Sequence, residues 1–87
     1  MIFISLIKDK KKPTKGLTDR VTKMMDELEK KGIKILGLYW TLGRYDTVVI
    51  FEAPTEKDAM KLAIEIKEEA DAETMIAIPR QEALKLL

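Results

Sequence analysis

Few side chains in this sequence could do chemistry, and two of them are adjacent. Tyr45 and Asp46 follow Gly43-Arg44 between two strand-like runs. A carboxylate there could act as a hydrogen-bond acceptor or base, with the phenol beside it as a donor. The commoner role of an Asp after a turn is to bond turn backbone groups, and a Tyr there commonly packs beside the hairpin. That ordinary role is the expectation, with Asp46 and Tyr45 kept as the only candidates for catalysis.

The remaining candidates are suited to binding. Tyr39 and Trp40 are neighbours on a predicted strand, so they point to opposite faces. Core or interface packing is the first expectation for them, and contact with a ligand the second. Arg44 and Arg80 are two of three arginines in a Lys-dominated chain. Either could grip a carboxylate or phosphate bidentately, although a solvated turn residue and a surface ion pair are the simpler readings. Five lysines crowd the segment Lys8 to Gly16. They read as a mobile solvated loop, or as a lure for an anionic ligand. No aromatic residue is interleaved with them, which argues against a surface that stacks single-stranded nucleic acid.

What is missing excludes more. The chain has no His and no Cys. Ser-His-Asp and Cys-His nucleophilic sites, disulfides, thiolate chemistry and a His-ligated haem are therefore ruled out. No acidic cluster has calcium-loop spacing, so neither a metal nor a cofactor is expected. The reading leans away from an enzyme. The net charge of +1 gives no bias toward nucleic acid or an anionic membrane. No apolar run approaches bilayer length and the first residues read as a strand, so a cytoplasmic protein is expected. Charged residues make up 36%, with nine Glu, thirteen Lys and no Asn, a balance like that of heat-adapted proteins.

These residues need a frame, and 87 residues allow one domain, 1–87. Ile2 to Ile7 reads as a strand. Leu17, Val21, Met24 and Leu28 recur at helical spacing, and Gly32 is placed to stop that helix. Ile33 to Leu42 is a second strand, with Gly37 marking a bulge or a close approach. Gly43-Arg44 suits a two-residue type II′ hairpin into a third strand, Tyr45 to Ala53. Thr55 and Asp58 form a capping box before a second helical stripe, Ala59, Leu62, Ala63, Ile66 and Ala70. Asp71 to Ile78 is a fourth strand, and Pro79 opens a short helix carrying Ala83, Leu84 and Leu87.

The order β-α-β-β-α-β predicts an α+β domain, a four-stranded antiparallel sheet with two helices on one face. Ile2-Phe3-Ile4, Val48-Val49-Ile50-Phe51 and Met75-Ile76-Ala77-Ile78 do not alternate apolar with polar residues. Both faces of the sheet are then apolar, although the helices cover only one. A homodimer or higher homo-oligomer through the open face is the expected partner arrangement.

The run from Gly37 to Pro54, with its Gly43, Tyr45 and Asp46 hairpin, resembles the signature of the GYD-domain family. The Lys-rich segment is the most evident departure. The resemblance implies a ferredoxin-like sandwich of the dimeric α/β-barrel type and a family without an assigned activity. A weaker similarity links the same hairpin to the effector-binding domains of Lrp/AsnC regulators, which bind small molecules between subunits. Three functions are therefore in view. The first is a homo-oligomeric small-molecule binding or regulatory module. The others are a cofactor-independent oxygenase or isomerase using Asp46 or Tyr45, and a structural interaction domain without a ligand.

Overall fold

A computed structural model describes residues 1–87. Apolar β-branched runs and helical stripes alternate along it as β1 (Ile2–Asp9), α1 (Lys15–Lys30), β2 (Lys34–Trp40), β3 (Thr47–Glu52), α2 (Glu56–Lys67), β4 (Ala70–Ala77) and α3 (Arg80–Leu84). The strands form one sheet in the order β2-β3-β1-β4, every neighbour antiparallel. Each strand-helix-strand unit skips one strand position, and the result is the ferredoxin-like fold.

Pairing restores the alternation that the sequence hides. In β1, Phe3, Ser5 and Ile7 are buried, whereas Ile2, Ile4 and Leu6 are only partly covered. Their partners obey the same parity: Phe3 faces Phe51 and Ser5 faces Val49. One core forms between sheet and helices from Phe3, Ile7, Val49 and Phe51 with Leu28 of α1 and Ala59 and Leu62 of α2. Phe51 is fully buried, its ring stacked 5.4 Å from that of Phe3. Ser5 is the one buried polar residue, and its hydroxyl is bonded to that of Thr74 at 2.8 Å.

The helices begin and end where local chemistry dictates. Thr14 caps α1 by accepting from the Leu17 N–H at 3.1 Å. At its other end Ile33 N–H reaches the Leu28 carbonyl and Gly32 N–H that of Glu29. This is a Schellman motif, with Gly32 at φ +88° and with Leu28 and Ile33 both buried beside it. Thr55 caps α2 through the Asp58 N–H. The Asp58 carboxylate accepts from the Thr55 hydroxyl rather than from its backbone, so only half of the expected capping box is present.

Three further local expectations change. Ala70, expected on the stripe of α2, instead opens β4, because the helix ends at Lys67. The connection between β2 and β3 is not a two-residue turn: Trp40 pairs with Thr47, leaving the loop Thr41–Asp46 between them. Thr41 N–H donates to the Asp46 carbonyl at 2.8 Å and closes this wider loop, and Gly43 at φ +108° turns it. The side-chain bonds of Thr41 and Asp46, which a tight turn lacks, favour the longer form. The bulge near Gly37 falls one residue earlier, with Leu36 as the extra residue between Ile35 and Gly37. Gly37 itself lies under the Tyr39 ring, where an added Cβ would come within 2.7 Å of Cε2.

The second face of the sheet carries Ile2, Ile4, Leu6, Val48, Ile50, Met75 and Tyr39. The last two are 42% and 56% exposed. The molecule is 18 Å thick along its shortest axis, enough for one sheet and one helix layer. Both long helices pack on the opposite face.

Candidate functional site

The sheet brings the end of β1 beside the hairpin, and that junction builds the site. Asp46 N–H donates to the Ile7 carbonyl at 2.8 Å, extending the ladder between β3 and β1 by one bond. The Asp46 carboxylate then accepts from the Asp9 N–H at 2.7 Å. Thr41 donates its hydroxyl to the Tyr45 carbonyl at 2.7 Å, and Lys8 Nζ donates to the Arg44 carbonyl at 3.2 Å. The hairpin is thus fastened internally by Thr41 and externally to β1 by Asp46.

These bonds leave an open cleft of about 500 Å³ between the hairpin and the Lys-rich segment. Its charged floor is Asp9 and Asp46, its apolar wall Trp40 and Leu42, and its other side Lys10, Lys11 and Lys12. Trp40 is 70% exposed there. After the bulge, Trp40 sits opposite Thr47 on the helix-facing side. Burial holds the Asp9 carboxyl above its ordinary value, and the neighbouring Asp46 charge adds to the effect. Paired carboxylates beside an exposed indole can accept hydrogen bonds from a cationic or donor-rich group while the ring packs on apolar surface. The acidic side chains nowhere converge into a set of three that could hold a metal ion.

Of the sequence candidates, only Trp40 and Asp46 meet in this cleft. Tyr45 turns away from it, and its hydroxyl donates to Glu73 at 2.9 Å. Glu73 pairs with Leu6 on the open sheet face. That hydrogen bond, then burial and the Glu73 charge, raise the Tyr45 phenol, against a lowering by Arg44. The Arg44 guanidinium lies 5.5 Å over the Tyr45 ring. Tyr39 is on the open face as well, in one row with Val48, Leu6 and Glu73. Arg80 follows β4 at the end of the sheet beside Ile2, whereas the hairpin lies beyond Ile7. The length of β1 separates it from the other candidates. The six binding candidates, Tyr39, Trp40, Arg44, Tyr45, Asp46 and Arg80, therefore fall into two groups and an outlier within one chain.

Sequence reasoning missed Asp9, Thr41, Leu42 and Glu73. Asp9 closes an apolar strand just before the lysines and was hidden among them. Glu73 carried no local signal, because its link to Tyr45 spans 28 residues.

A family model described as the GYD domain matches residues 1–87. The chain belongs to the GYD-domain family. Two solved structures resemble this GYD domain in fold. One is the crystal structure of PH0061, 24% identical with a TM-score of 0.55, over 88% of this chain and 51% of that one. The other is the structured domain of Boca from Drosophila melanogaster, 13% identical with a TM-score of 0.55, over 90% of this chain and all of that one. The GYD domain spans about half the length of PH0061. At these identities the likeness is one of fold alone. No curated protein sequence matches it. No helix is long and apolar enough to cross a membrane.

Proposed function

We propose that this GYD domain is a homodimeric small-molecule binding module. Its ligand site is the cleft beside the hairpin, and its dimer interface is the open sheet face. The observation that carries the reading is Trp40, a large apolar ring left 70% exposed in a cleft with Asp9 and with Asp46, whose carboxylate the Asp9 N–H holds in place. A compact ligand with an amino or other donor-rich group and an apolar or aromatic body fits that lining. Its donors meet Asp9 and Asp46, its body packs on Trp40 and Leu42, and any acidic group meets Lys10 to Lys12.

The dimer follows from Ile2, Ile4, Leu6, Val48 and Ile50, whose exposed area a second copy covers with the same set about a two-fold axis. Sedimentation at micromolar concentration checks this, and a monomer there removes it.

A thermal-shift screen of primary amines, amino acids and aromatic acids tests the site. A ligand at about 100 times its Kd stabilises by roughly 2.7 kcal/mol. Its shift is expected to vanish in Trp40→Ala and to shrink in Asp46→Asn. The only Trp in the chain gives a second signal, since a bound ligand changes its fluorescence. A flat response in both readouts leaves the structural interaction domain as the function.

One observation favours a second reading, a cofactor-independent enzyme that moves a proton. The Asp9 carboxyl is raised by burial and by Asp46, the direction a general acid or base at a cleft requires. Turnover of a hit compound, lost in Asp9→Asn while binding persists, separates this reading from the first.

A further inference from the structure

The outer edge of β4 is lightly defended. Its eight residues hold no Lys, no Pro and no bulge, three of the devices that keep exposed strand edges from pairing, and its only charges are Asp71 and Glu73. The opposite edge, β2, is interrupted by its bulge at Leu36 and begins with Lys34.

Apolar side chains gather above the β4 edge. Ile76 shares its row with Phe3 and Phe51, yet it is 58% exposed because β4 is the last strand. In α2, Ala59, Leu62 and Ile66 turn to the core. Asp58, Lys61 and Glu65 line a groove shared with Leu28 of α1. Helical periodicity then puts Met60 on the flank away from α1, over the β4 edge, and Ile64 on the outer face beside it. They are 59% and 57% exposed. Glu56, Met60, Ala63 and Lys67 run along that flank at spacings of four, three and four, the ridge a helix offers to another helix.

We infer that this edge and flank form an interface with a second copy of the chain, in which β4 pairs antiparallel with its two-fold mate. Charge narrows the register, and the stripe of α2, acidic at Glu56 and basic at Lys67, points to the occupant. Pairing centred on residue 73 sets Glu73 against itself, and centring on 72 sets Asp71 against Glu73. Centring on Thr74 sets Glu73 opposite Met75 and Ile76 opposite Ala72, with no acidic pair. The same axis lays α2 antiparallel to its copy, about 10 Å away given the strand spacing and the usual distance between packed helices. Reversed about the midpoint of α2, the two copies set Glu56 against Lys67 and Met60 against Ala63. A stripe acidic at one end and basic at the other complements itself when reversed. This contact leaves Ile2, Ile4, Leu6, Val48 and Ile50 of the open face free. It joins sheets edge to edge, and combined with the face contact it makes a tetramer of two kinds of interface.

Because the chain has no native Cys, the double variant Glu56→Cys/Lys67→Cys reports the contact directly. Within one helix the two positions are about 16 Å apart, too far for a short bis-maleimide. A linked product must therefore join two chains. The expected result is a covalent dimer on a denaturing gel, lost when Met60→Lys and Ile76→Lys are added and kept when Ile4→Lys is added on the open face. No linked dimer, or one that survives the edge lysines, overturns the inference. Loss with Ile4→Lys as well also overturns it, because the face contact would then bring the thiols together. Met60→Lys alone, at an exposed site, serves as the edge variant should the pair impair folding, which circular dichroism checks. Sedimentation of the Ile4→Lys protein reports separately on the face-to-face dimer.

Discussion

Replacing Asp46 distinguishes a structural carboxylate from a chemical one. Its Oδ2 accepts a short bond, 2.7 Å, from the Asp9 N–H, and this bond alone ties the hairpin side chains to the end of β1. A bond to a charged group contributes about 1.5–3 kcal/mol. Asp46 is only half-buried, so water can take over part of the vacated donor, and its charge also repels Asp9. Both facts place the loss for Asp46→Ala at the lower end, about 1.5 kcal/mol. At roughly 4–8 °C per kcal/mol for a domain of this size, the melting temperature falls by about 6–12 °C. Asp46→Asn keeps an acceptor and removes the repulsion, so its cost is below about 0.5 kcal/mol. The assay is thermal unfolding at one fixed protein concentration, because association also moves the melting temperature. An NMR titration of Asp9 accompanies it, and that carboxyl should move down toward its ordinary range in either variant while remaining raised by burial. Equal losses in the two variants, or no loss in Asp46→Ala, would refute the view that this hydrogen bond holds the hairpin.

Three further outcomes are expected. Phe51→Ala removes the fully buried ring stacked on Phe3 and should cost about 3–5 kcal/mol in urea unfolding; a loss near 1 kcal/mol would mean that the core collapses around the gap. Gly32→Ala, at φ +88°, should cost about 1–2 kcal/mol, whereas Gly16→Ala in α1, with nothing near an added Cβ, should stabilise by about 0.5–1 kcal/mol. A reversal of those signs would overturn the assignment of the Schellman turn. Finally, a carboxyl raised above its ordinary 3.8, as Asp9 is, holds its proton more tightly folded than unfolded. Its contribution favours the fold below that ordinary value and is lost as pH rises through the folded one. Asp9→Asn should therefore stabilise at neutral pH, with the advantage shrinking in paired melts as pH falls through the raised value and gone below the ordinary 3.8.

Most of the architecture was legible in the residues because it rests on local rules. The stripe Leu17, Val21, Met24 and Leu28 implied α1, and Gly32 was read as its stop because only a glycine sits comfortably at positive φ. The site was less legible. Trp40 and Asp46 were named as candidates, but their companions Asp9 and Leu42 come from segments with no periodic signal. Gly43-Arg44 satisfies the chemistry of a tight turn locally, but it lies inside the longer loop Thr41–Asp46. The competing bonds from Thr41 and Asp46 depend on where β1 ends.

The sequence by itself determined the element order, the helix stops and an apolar content in the strands beyond what two helices can cover. Side-chain periodicity, caps and turn residues act within a few positions of one another, so one chain read in order contains them. Only the tertiary structure decided that Asp46 bonds to Asp9, that Tyr45 reaches Glu73, and that Arg80 stands a strand's length from the hairpin. Each of these follows from register. The antiparallel pairing of β1 with β3 and β4 brings residues 28 to 69 positions apart into hydrogen-bond range. A one-residue slip would turn every one of those side chains to the other face. The bulge at Leu36 makes such a shift within β2, and so sends Trp40 to the cleft and Tyr39 to the open face.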